Sequence, residues 1–550
     1  MAGCQHPKDI LQNQDSIRLN QIGYYPQSVK QFLLTDSVAV EFEIINQSGQ
    51  SVFKGQLSDN GLWDLSGEQV MMGDFSSLQQ PGTYTILVDN HLESYPFEIK
   101  EDLYQDPLNA AIKSYYFQRA SMPIEETYGG IYHRKAGHAD TACSFHPSTG
   151  YNSGTLNSPG GWYDAGDYGK YVGNAALSTG QMLLLLEQFP DIIPDGSLNI
   201  PESGNGIGDL FDELKYELDW LLTMQDNDGG VFFKVTAKGF SDFVMPEDYD
   251  LERFVIGKGT ASTLDFAAVM AQAARVYKKV NPDFSKQALV AAKKAWQWAM
   301  VNDNIPFTNP KGISTGEYGD DHFSDDFYWA AAELFISTQD QQYFDYLTTH
   351  PEPYIHEQTN SWKFFVRNNG FQSLLENSDL LDKTFKNKLT EQHIQLADSI
   401  LTLISNNPYR IGADRFEWGS NSDVLNQAVI LCMAHRLTGN EKYLFGAEQI
   451  NDYILGKNAT GYCFLTGFGS KKVMFPHHRP SGADGITEPI PGFVVGGPNN
   501  DRQDASEIEY ISTFPAKSYM DLTESYASNE VCINWNAPAI YVMGYLQQTR

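Results

Sequence analysis

Cysteine is scarce in this chain of 550 residues, which contains only five. The five are odd in number and scattered, and no two form a CxxC pair: Cys4, Cys143, Cys432, Cys463 and Cys532. Such a set argues against a disulfide framework and gives no strong zinc signature. Four potential metal ligands do lie near one another: His133, His138, Cys143 and His146. A loop with scattered His and Cys is the commoner explanation, so the metal content is left unknown.

Basic residues and long apolar runs are also lacking. The chain has 38 Lys and Arg against 69 Asp and Glu, a formal charge of −31. This surface would repel nucleic acid phosphates and anionic lipid headgroups, so we expect neither nucleic acid nor membrane as a partner. No stretch approaches the roughly 20 apolar residues of a membrane span. The start, MAGCQHPKD, resembles a lipoprotein cleavage site without the segments that precede one. We expect a cytoplasmic protein, with a trimmed export leader as the alternative.

Aromatic residues are plentiful, at 13% of the chain, and the length favours two domains. Residues 38–44, 83–88 and 95–99 carry apolar side chains at alternate positions, the period of half-buried strands. Pro96 indicates that the last of these strands lies at a sheet edge. Short strands at this spacing predict a small β-sandwich at the N-terminal end.

The period changes to that of helices near Pro107, and helices dominate from there onward. The strongest helical patterns cover residues 107–116, 207–225, 263–277, 329–335, 425–437 and 537–546. Long loops rich in Gly, Pro, Asn and Asp separate them, notably at 147–170, 303–326 and 466–517. Long loops in a compact helical domain are usually functional.

Two of these loops concentrate residues suited to acid–base chemistry. Asp164 and Asp167 stand among glycines and aromatics in the segment 160–168, where one carboxylate can hold a water while the other orients it. A calcium-binding or turn-forming pair of aspartates is an equal alternative. Glu530 precedes an apolar helix, and apolar surroundings raise a carboxyl pKa as a general acid requires. A Glu favoured by the helix dipole is the alternative there.

A third concentration is the loop that contains His477 and Arg479 between two prolines. These side chains offer hydrogen-bond donors for sugar hydroxyls. Phosphate binding or a surface turn would explain the same residues, but no Gly-rich phosphate loop supports the former.

At these places the sequence resembles glycoside hydrolase family 9. One family signature is filled by Tyr519, Asp521, Tyr526, Glu530, Asn536 and Ala537, with Cys532 in place of the usual small residue. A second is filled by the stretch 466–469, Lys471, Pro476, His477 and Arg479, with Cys463 as the departure. Further similar segments are 20–24, 200–206, 225–230 and 418–421. The resemblance therefore extends over nearly the whole chain.

The resemblance implies a multidomain fold, an N-terminal immunoglobulin-like β-sandwich followed by an all-α (α/α)6 barrel. We place the boundaries at 1–16 for an N-terminal tail, 17–103 for the sandwich and 104–550 for the catalytic barrel. It also implies an inverting glycoside hydrolase that requires no cofactor. A structural calcium ion is compatible with the resemblance, although no ligand set can be assigned.

The resemblance assigns roles to individual residues by their place in the motifs. Asp167 becomes the general base, Asp164 assists in placing the water, and Glu530 becomes the general acid. Inversion implies a separation of roughly 6.5–9.5 Å between the carboxyl groups of Asp167 and Glu530. The implied substrate-binding residues are His477, Arg479, Tyr526 and Trp418.

The substrate is an oligosaccharide or polysaccharide, and two types of β-1,4-linked glycan are in question. The acidic surface, the lack of a visible leader and the lack of a cellulose-binding appendage favour an exo-β-D-glucosaminidase acting on chitosan-type oligosaccharides. An acidic loop would then contact the amine: Asp320, Asp321, Asp325 and Asp326. The alternative is an endo-β-1,4-glucanase acting on cellulose or cello-oligosaccharides. A non-catalytic carbohydrate-binding protein is less favoured because Asp164, Asp167 and Glu530 are intact. A helical-barrel lyase or epimerase is less favoured because those chemistries favour Tyr, His or Arg at the proton-transfer positions.

Overall fold

A computed structural model describes residues 15–35, 37–353 and 366–550 of the chain. The predicted tail at 1–16, with Cys4, lies almost wholly outside these ranges. The N-terminal part is built from nine strands: β1 (Ile17–Arg18), β2 (Gly23–Tyr24), β3 (Gln31–Thr35), β4 (Glu41–Asn46), β5 (Ser51–Trp63), β6 (Glu68–Asp74), β7 (Gly82–Val88), β8 (Leu92–Glu93) and β9 (Phe97–Ile99). The predicted N-terminal β domain is therefore confirmed.

The strands run in the order β1-β3-β6-β5-β4-β7-β9-β2, with β8 beside β7. The long strand β5 pairs first with β4 and then, from Leu57 onward, with β6, and the pairing with β6 has an irregularity at residues 59–61. Phe42 and Ile44 of β4 and Ile86 and Val88 of β7 point into one apolar core, as their alternation predicts. The edge position predicted from Pro96 is wrong, because β9 begins after the proline and lies between β7 and β2.

Helices make up most of the remaining chain. Their bounds are α1 (Gln105–Gln118), α2 (Glu126–Gly129), α3 (Val172–Gln188), α4 (Asp209–Thr223), α5 (Thr260–Val276), α6 (Pro282–Ala299), α7 (Ser324–Thr338), α8 (Gln341–Thr349), α9 (Arg367–Glu376), α10 (Lys383–Asn406), α11 (Ser420–Thr438), α12 (Glu441–Ile454), α13 (Arg479–Ala483), α14 (Tyr526–Asn529) and α15 (Ile533–Thr549). All six helices predicted from the sequence are present, with ends shifted by a few residues.

Three helices begin directly after the loops that carry candidate residues. α3 follows the loop with Asp164 and Asp167, α11 follows Trp418, and α15 follows Glu530. These helices are buried on nearly every side, as expected for elements at the centre of a helical domain. The candidate residues therefore project from the starts of central helices.

A second sheet, which the sequence analysis did not predict, lies within the helical region. Its strands are β10 (Cys143–Phe145), β11 (Thr155–Leu156), β12 (Lys170–Tyr171), β13 (Phe232–Thr236) and β14 (Phe254–Lys258), in the order β11-β10-β14-β13-β12. Every residue of β13 is buried, so its sequence shows no alternation to reveal it. Strand β12 directly follows the Asp164–Asp167 loop and pairs with β13.

The N-terminal domain packs tightly against the helical domain. The Asn20 amide donates to Asp452 over 2.9 Å, and the Gln21 side chain donates to the Gly461 carbonyl over 2.7 Å. The Gln21 oxygen also accepts from the backbone amides of Ser470 and Lys471, at 2.9 and 2.8 Å. These contacts fix the start of the loop that leads to His477.

Candidate active site

One cleft of about 600 Å³ brings together most of the predicted site residues. Asp167, Glu530 and all four predicted substrate-binding residues line it: His477, Arg479, Tyr526 and Trp418. Asp164 is fully buried behind this lining. The three loops 160–171, 475–479 and 526–532 thus meet at one place, although they are far apart in sequence.

Asp164 is held from two sides. Its Oδ1 accepts a hydrogen bond from the Asn174 amide at 2.6 Å, and its Oδ2 accepts one from the Tyr318 hydroxyl at 2.7 Å. Burial, reinforced by the nearby Asp167 carboxylate, raises the pKa of Asp164 to about 7. Asp164 is therefore a rigidly oriented carboxyl that keeps a proton over a wider pH range than an exposed aspartate.

Asp167 opens into the cleft from the same loop. Its Oδ2 accepts a hydrogen bond from the Gly169 amide at 2.9 Å, while the rest of the carboxylate faces the cleft. Gly166 lies so close to the carbonyl oxygen of His477 that an added Cβ would overlap it. The loop can therefore approach the His477 segment only because this residue is glycine.

Glu530 lies where the loops 475–479 and 526–532 meet. The His477 amide donates to the Asn529 carbonyl over 2.8 Å, and the Gly496 amide donates to the Glu530 carbonyl over 2.9 Å. Burial raises the pKa of Glu530 well above its ordinary value; the negative charge of Asp167 adds to this rise and Arg479 opposes it. This environment favours the protonated form of Glu530, which is the form that a general acid needs.

The two sequence signatures support each other in space. The Asp521 carboxylate accepts from the backbone amides of Met474 and Phe475 at 2.9 and 2.8 Å. The Asn529 amide donates to the Phe475 carbonyl over 2.7 Å and to Asp521 over 3.2 Å. Asp521 of the signature and its neighbour in space Asn529, neither of which lines the cleft, therefore hold the His477 loop against the Glu530 loop.

His477 and Arg479 differ in how much of their bonding capacity remains for a ligand. The Nδ1 of His477 donates to the Thr523 carbonyl at 2.7 Å, which leaves Nε2 as an acceptor. Burial, with Arg479, lowers the pKa of His477 to about 4, so the ring is neutral. The Arg479 guanidinium donates to the Gly166 carbonyl over 2.9 Å and to the Ser241 carbonyl over 3.0 Å. Much of Arg479 is thus used to join two loops of the cleft.

Tyr526 and Trp418 form an aromatic surface beside Glu530. Their ring centroids lie 5.4 Å apart at an angle of 40°. The Tyr526 hydroxyl donates to the Gln503 carbonyl over 3.0 Å, which fixes the ring. Rigid aromatic faces next to an acid suit stacking against the apolar face of a sugar.

Several residues that line the cleft were missed by the sequence analysis. They are Tyr171, Phe240, Asn309, Ser314, Thr315, Glu317, Tyr318, Glu507 and Trp535. Five of them come from the loop 303–326, which the composition had marked as functional. Its residue types alone gave no indication of which side chains reach the cleft.

The structure places the predicted acidic loop elsewhere. None of Asp320, Asp321, Asp325 and Asp326 is among the described residues that line the cleft. Asp325 accepts from the Val366 amide at 3.0 Å, and Asp326 is buried near Asp265 of α5. Their proposed contact with a substrate amine is wrong, because the start of α7 buries the last two carboxyls between helices.

The candidate metal ligands are not gathered into a site. Within the described ranges no group of three or more His, Cys, Asp or Glu side chains is arranged to hold a metal ion. His138 instead contacts the Tyr163 hydroxyl through Nδ1 at 2.7 Å, and His146 contacts the Ser148 hydroxyl.

A cleft lined by a carboxylate, a second carboxyl whose pKa is raised by burial, and aromatic rings is the arrangement of an enzyme that hydrolyses glycosidic bonds. A family model for glycosyl hydrolase family 9 matches residues 104–543, and one for the cellulase N-terminal Ig-like domain matches residues 12–92. The chain belongs to glycoside hydrolase family 9 and is an O-glycosyl hydrolase.

Characterised relatives resemble the chain over nearly its full length. A xyloglucan-specific endo-β-1,4-glucanase of Bacteroides ovatus is 40% identical, over 98% of this chain and 94% of its own. Endoglucanase D of Acetivibrio thermocellus is 34% identical, over 96% of this chain and 82% of its own. The solved structure of family 9 endoglucanase J30 superposes with a TM-score of 0.90 at 32% identity, covering 96% of this chain and all of J30 (100%).

These relatives correct the expected substrate. They are endoglucanases, which supports the endo-β-1,4-glucanase alternative rather than the exo-β-D-glucosaminidase favoured from the acidic charge. A charge of −31 carries little information about the substrate when the acidic loop lies outside the cleft. No described helix has the length and apolarity needed to cross a membrane.

Proposed function

We propose that the protein is an endo-β-1,4-glucanase that hydrolyses its substrate with inversion of the anomeric carbon. The observation that carries this proposal is the shared cleft of Asp167 and Glu530, in which the pKa of Glu530 is raised by burial. Similarity to endoglucanases over nearly the whole chain supports it. Both catalytic groups are side chains, so the reaction requires no cofactor.

Asp167 accepts a proton from a water molecule as the water oxygen attacks the anomeric carbon. Glu530 donates its proton to the glycosidic oxygen as the bond from that oxygen to the anomeric carbon breaks. Asp164, fixed by Tyr318 and Asn174, orients the base loop and the water beside it. The expected separation of roughly 6.5–9.5 Å between the Asp167 and Glu530 carboxyl groups stays a prediction.

The sugar at the cleavage site is recognised by residues of all three loops. We assign hydrogen bonds with sugar hydroxyls to His477 and Arg479, and stacking to Tyr526 and Trp418. The Nε2 of His477 is an acceptor, so it suits a hydroxyl donor. The Trp418–Tyr526 pair lies beside Glu530 in the cleft.

The substrate in this proposal is a β-1,4-glucan chain that is cut internally. The relative from Bacteroides ovatus is specific for xyloglucan, so branched xyloglucan is included with unbranched cello-oligosaccharides.

We further propose that the helical domain, residues 104–550, is an (α/α)6 barrel. Among the described residues twelve helices have nine or more residues. Six of them follow one another in contact: α5 packs against α3 and α7, α7 against α9, and α15 against α3 and α11. We take these six helices as the inner ring of the barrel and the helices between them in the chain as the outer ring. The cleft then lies at the starts of the inner helices.

Product analysis tests the function. The enzyme is incubated separately with xyloglucan, carboxymethylcellulose and chitosan oligomers. We expect a rapid fall in viscosity of a glucan with few new reducing ends, because internal cuts shorten chains quickly. NMR of the first products should show the α-anomer, since inversion converts a β-linkage. Stepwise release of glucosamine from chitosan, with the glucans untouched, would overturn the proposal.

Three variants test the residues. Asp167→Asn and Glu530→Gln should each lower kcat by at least about 10³-fold, since each removes a proton-transfer group. Glu507→Gln is the matched control, because Glu507 is a carboxylate of the same cleft with no assigned step. Turnover in either catalytic variant within tenfold of the wild type would refute the assignment of that residue.

A further inference from the structure

Lys234 is a charged residue in the middle of the buried strand β13, close to the catalytic loop. Its side chain is inaccessible to solvent, and it is not among the described residues that line the cleft. It lies above the ring of Tyr171, with Nζ 5.2 Å from the ring centroid. A buried cation must be surrounded by acceptors to be tolerated, so its partners show what it stabilises.

All hydrogen-bond partners of the Lys234 ammonium belong to one cleft-lining loop. Nζ donates to the Gly316 carbonyl over 2.6 Å and to Asn309 Oδ1 over 2.7 Å. It also contacts the hydroxyl and the carbonyl oxygen of Thr315, at 3.2 and 3.4 Å. Burial lowers the pKa of Lys234 to about 7, whereas the carboxylates of Asp167, Glu317 and Asp164 raise it. The acceptors and these negative charges favour the ammonium form.

The loop held by Lys234 ends in a strained residue that reaches the catalytic pair. Tyr318 has a φ of +43°, in the left-handed region that favours glycine. For a bulky residue this conformation is unfavourable and persists only where the surroundings enforce it. The Tyr318 hydroxyl donates to Asp164 over 2.7 Å. Fixing the loop at Thr315 and Gly316 therefore maintains that hydrogen bond.

Lys234 is joined to the catalytic loop from the other direction as well. Tyr171 of β12 pairs in register with Lys234 of β13. Strand β12 follows the catalytic loop directly, and the Asp164 amide donates to the Gly169 carbonyl over 2.9 Å. The backbone of Lys234 thus fixes the Asp164–Asp167 loop, while its side chain fixes the loop with Tyr318.

We propose that Lys234 is a positioning residue for hydrolysis, whose ammonium group fixes the loop 309–318 so that the Tyr318 hydroxyl orients Asp164 beside Asp167. The proposal rests on the proposed function, because it assigns the water-activating site to these aspartates. Lys234 does not line the cleft, and its side chain fixes the orientation of Asp164 through Tyr318.

A double-mutant cycle with Lys234→Met and Tyr318→Phe tests this coupling. Each single variant should lower kcat roughly ten- to hundredfold, because a displacement of about 1 Å can cost 10²-fold. The double variant should be within threefold of the slower single variant, since both changes remove the same orientation of Asp164. Lys238→Met, at an exposed lysine two residues after the end of the same strand, is the matched control and should keep kcat within twofold.

The pH profile supplies a readout that general destabilisation would not change. The Tyr318 hydrogen bond and the positive charge of Lys234 each lower the pKa of Asp164, so both single variants should shift the Asp164-dependent limb to higher pH, Lys234→Met by at least as much as Tyr318→Phe. Thermal melting confirms that each variant is folded at the assay temperature. If Lys234→Met does not fold, Thr315→Val removes one acceptor with little change of shape and replaces it in the cycle.

The outcomes separate the two proposals. A wild-type enzyme that cuts no β-1,4-glucan would refute the proposed function. With an active wild type, a folded Lys234→Met variant whose kcat is within threefold of wild type would overturn the role of Lys234. A double variant whose loss equals the product of the single losses would overturn it too, because Lys234 and Tyr318 would then act independently.

Discussion

Replacing Asp164 by Asn should stabilise the protein, increasingly so as the pH rises. Burial and the Asp167 carboxylate raise the pKa of Asp164 from 3.8 to about 7. A shift of this size corresponds to about 4 kcal/mol, at about 1.4 kcal/mol per pKa unit. The Asn side chain retains the shape and can still accept a hydrogen bond from Asn174, but it has no proton to release.

The direction follows from the proton balance of unfolding. Below pH 3.8 the carboxyl is protonated in the folded and the unfolded chain, so it contributes no pH dependence. Between pH 3.8 and about 7 the folded chain keeps a proton that the unfolded chain releases, so the free energy of unfolding falls as the pH rises. Above about 7 the wild type has lost the whole contribution of about 4 kcal/mol. The free energy of unfolding of Asp164→Asn does not fall in this way, because the Asn side chain does not titrate.

Urea unfolding of the wild type and Asp164→Asn at a series of pH values between 4 and 8 measures the effect. The difference in free energy of unfolding should grow with pH by up to about 4 kcal/mol, whatever its value at pH 4. Asp191→Asn, at an exposed aspartate, controls for the loss of one negative charge. A difference that stays constant within 1 kcal/mol over the series would refute the reasoning. We expect kcat to fall in the same variant, because the orientation of Asp164 serves catalysis at the expense of stability.

Two further substitutions test the electrostatics and the packing of the cleft. Arg479→Met removes the positive charge that lowers the pKa of Glu530, so the alkaline limb of the pH–kcat profile should move to higher pH; an unchanged limb would contradict Glu530 as the acid. Gly166→Ala should reduce activity at least tenfold and lower the Tm, because the new Cβ overlaps the His477 carbonyl. Gly173→Ala, whose Cβ would lie 3.5 Å from its nearest neighbour, should leave both unchanged, and equal effects of the two substitutions would refute the packing argument.

The sequence predicted the parts of the site that are encoded locally. Asp167 and Glu530 lie in compact motifs, and the helix that follows Glu530 was also predicted from its period. The N-terminal β domain and the six strongest helices followed from alternation and period in the same way. Long, strongly periodic elements are those that local sequence determines best.

Tyr318 and Lys234 could not be predicted, because their roles arise from tertiary contacts. Tyr318 is one aromatic residue in a loop, and nothing in its neighbours encodes a left-handed backbone or a partner 154 residues away in the chain. Lys234 interrupts an apolar run and so obscured the strand that contains it. Asp326 is the opposite case, because the sequence predicted a role that the structure does not support. An acidic residue in a Gly-rich loop suggested a contact with the substrate, but the fold buries its side chain.

The relative placement of acid and base depends mainly on backbone hydrogen bonds. The Ile533 amide donates to the Asp164 carbonyl over 2.8 Å, the Arg479 amide to the Gly166 carbonyl over 3.1 Å, and the His477 amide to the Asn529 carbonyl over 2.8 Å. These three bonds join all three catalytic loops in pairs without using any catalytic side chain. The scaffold can therefore keep its geometry when Asp167 or Glu530 is replaced, and side chains such as Tyr318 adjust the orientation within it. Preorganised catalysis benefits when backbone hydrogen bonds hold the loops together, because the side chains of Asp167 and Glu530 then stay available for proton transfer.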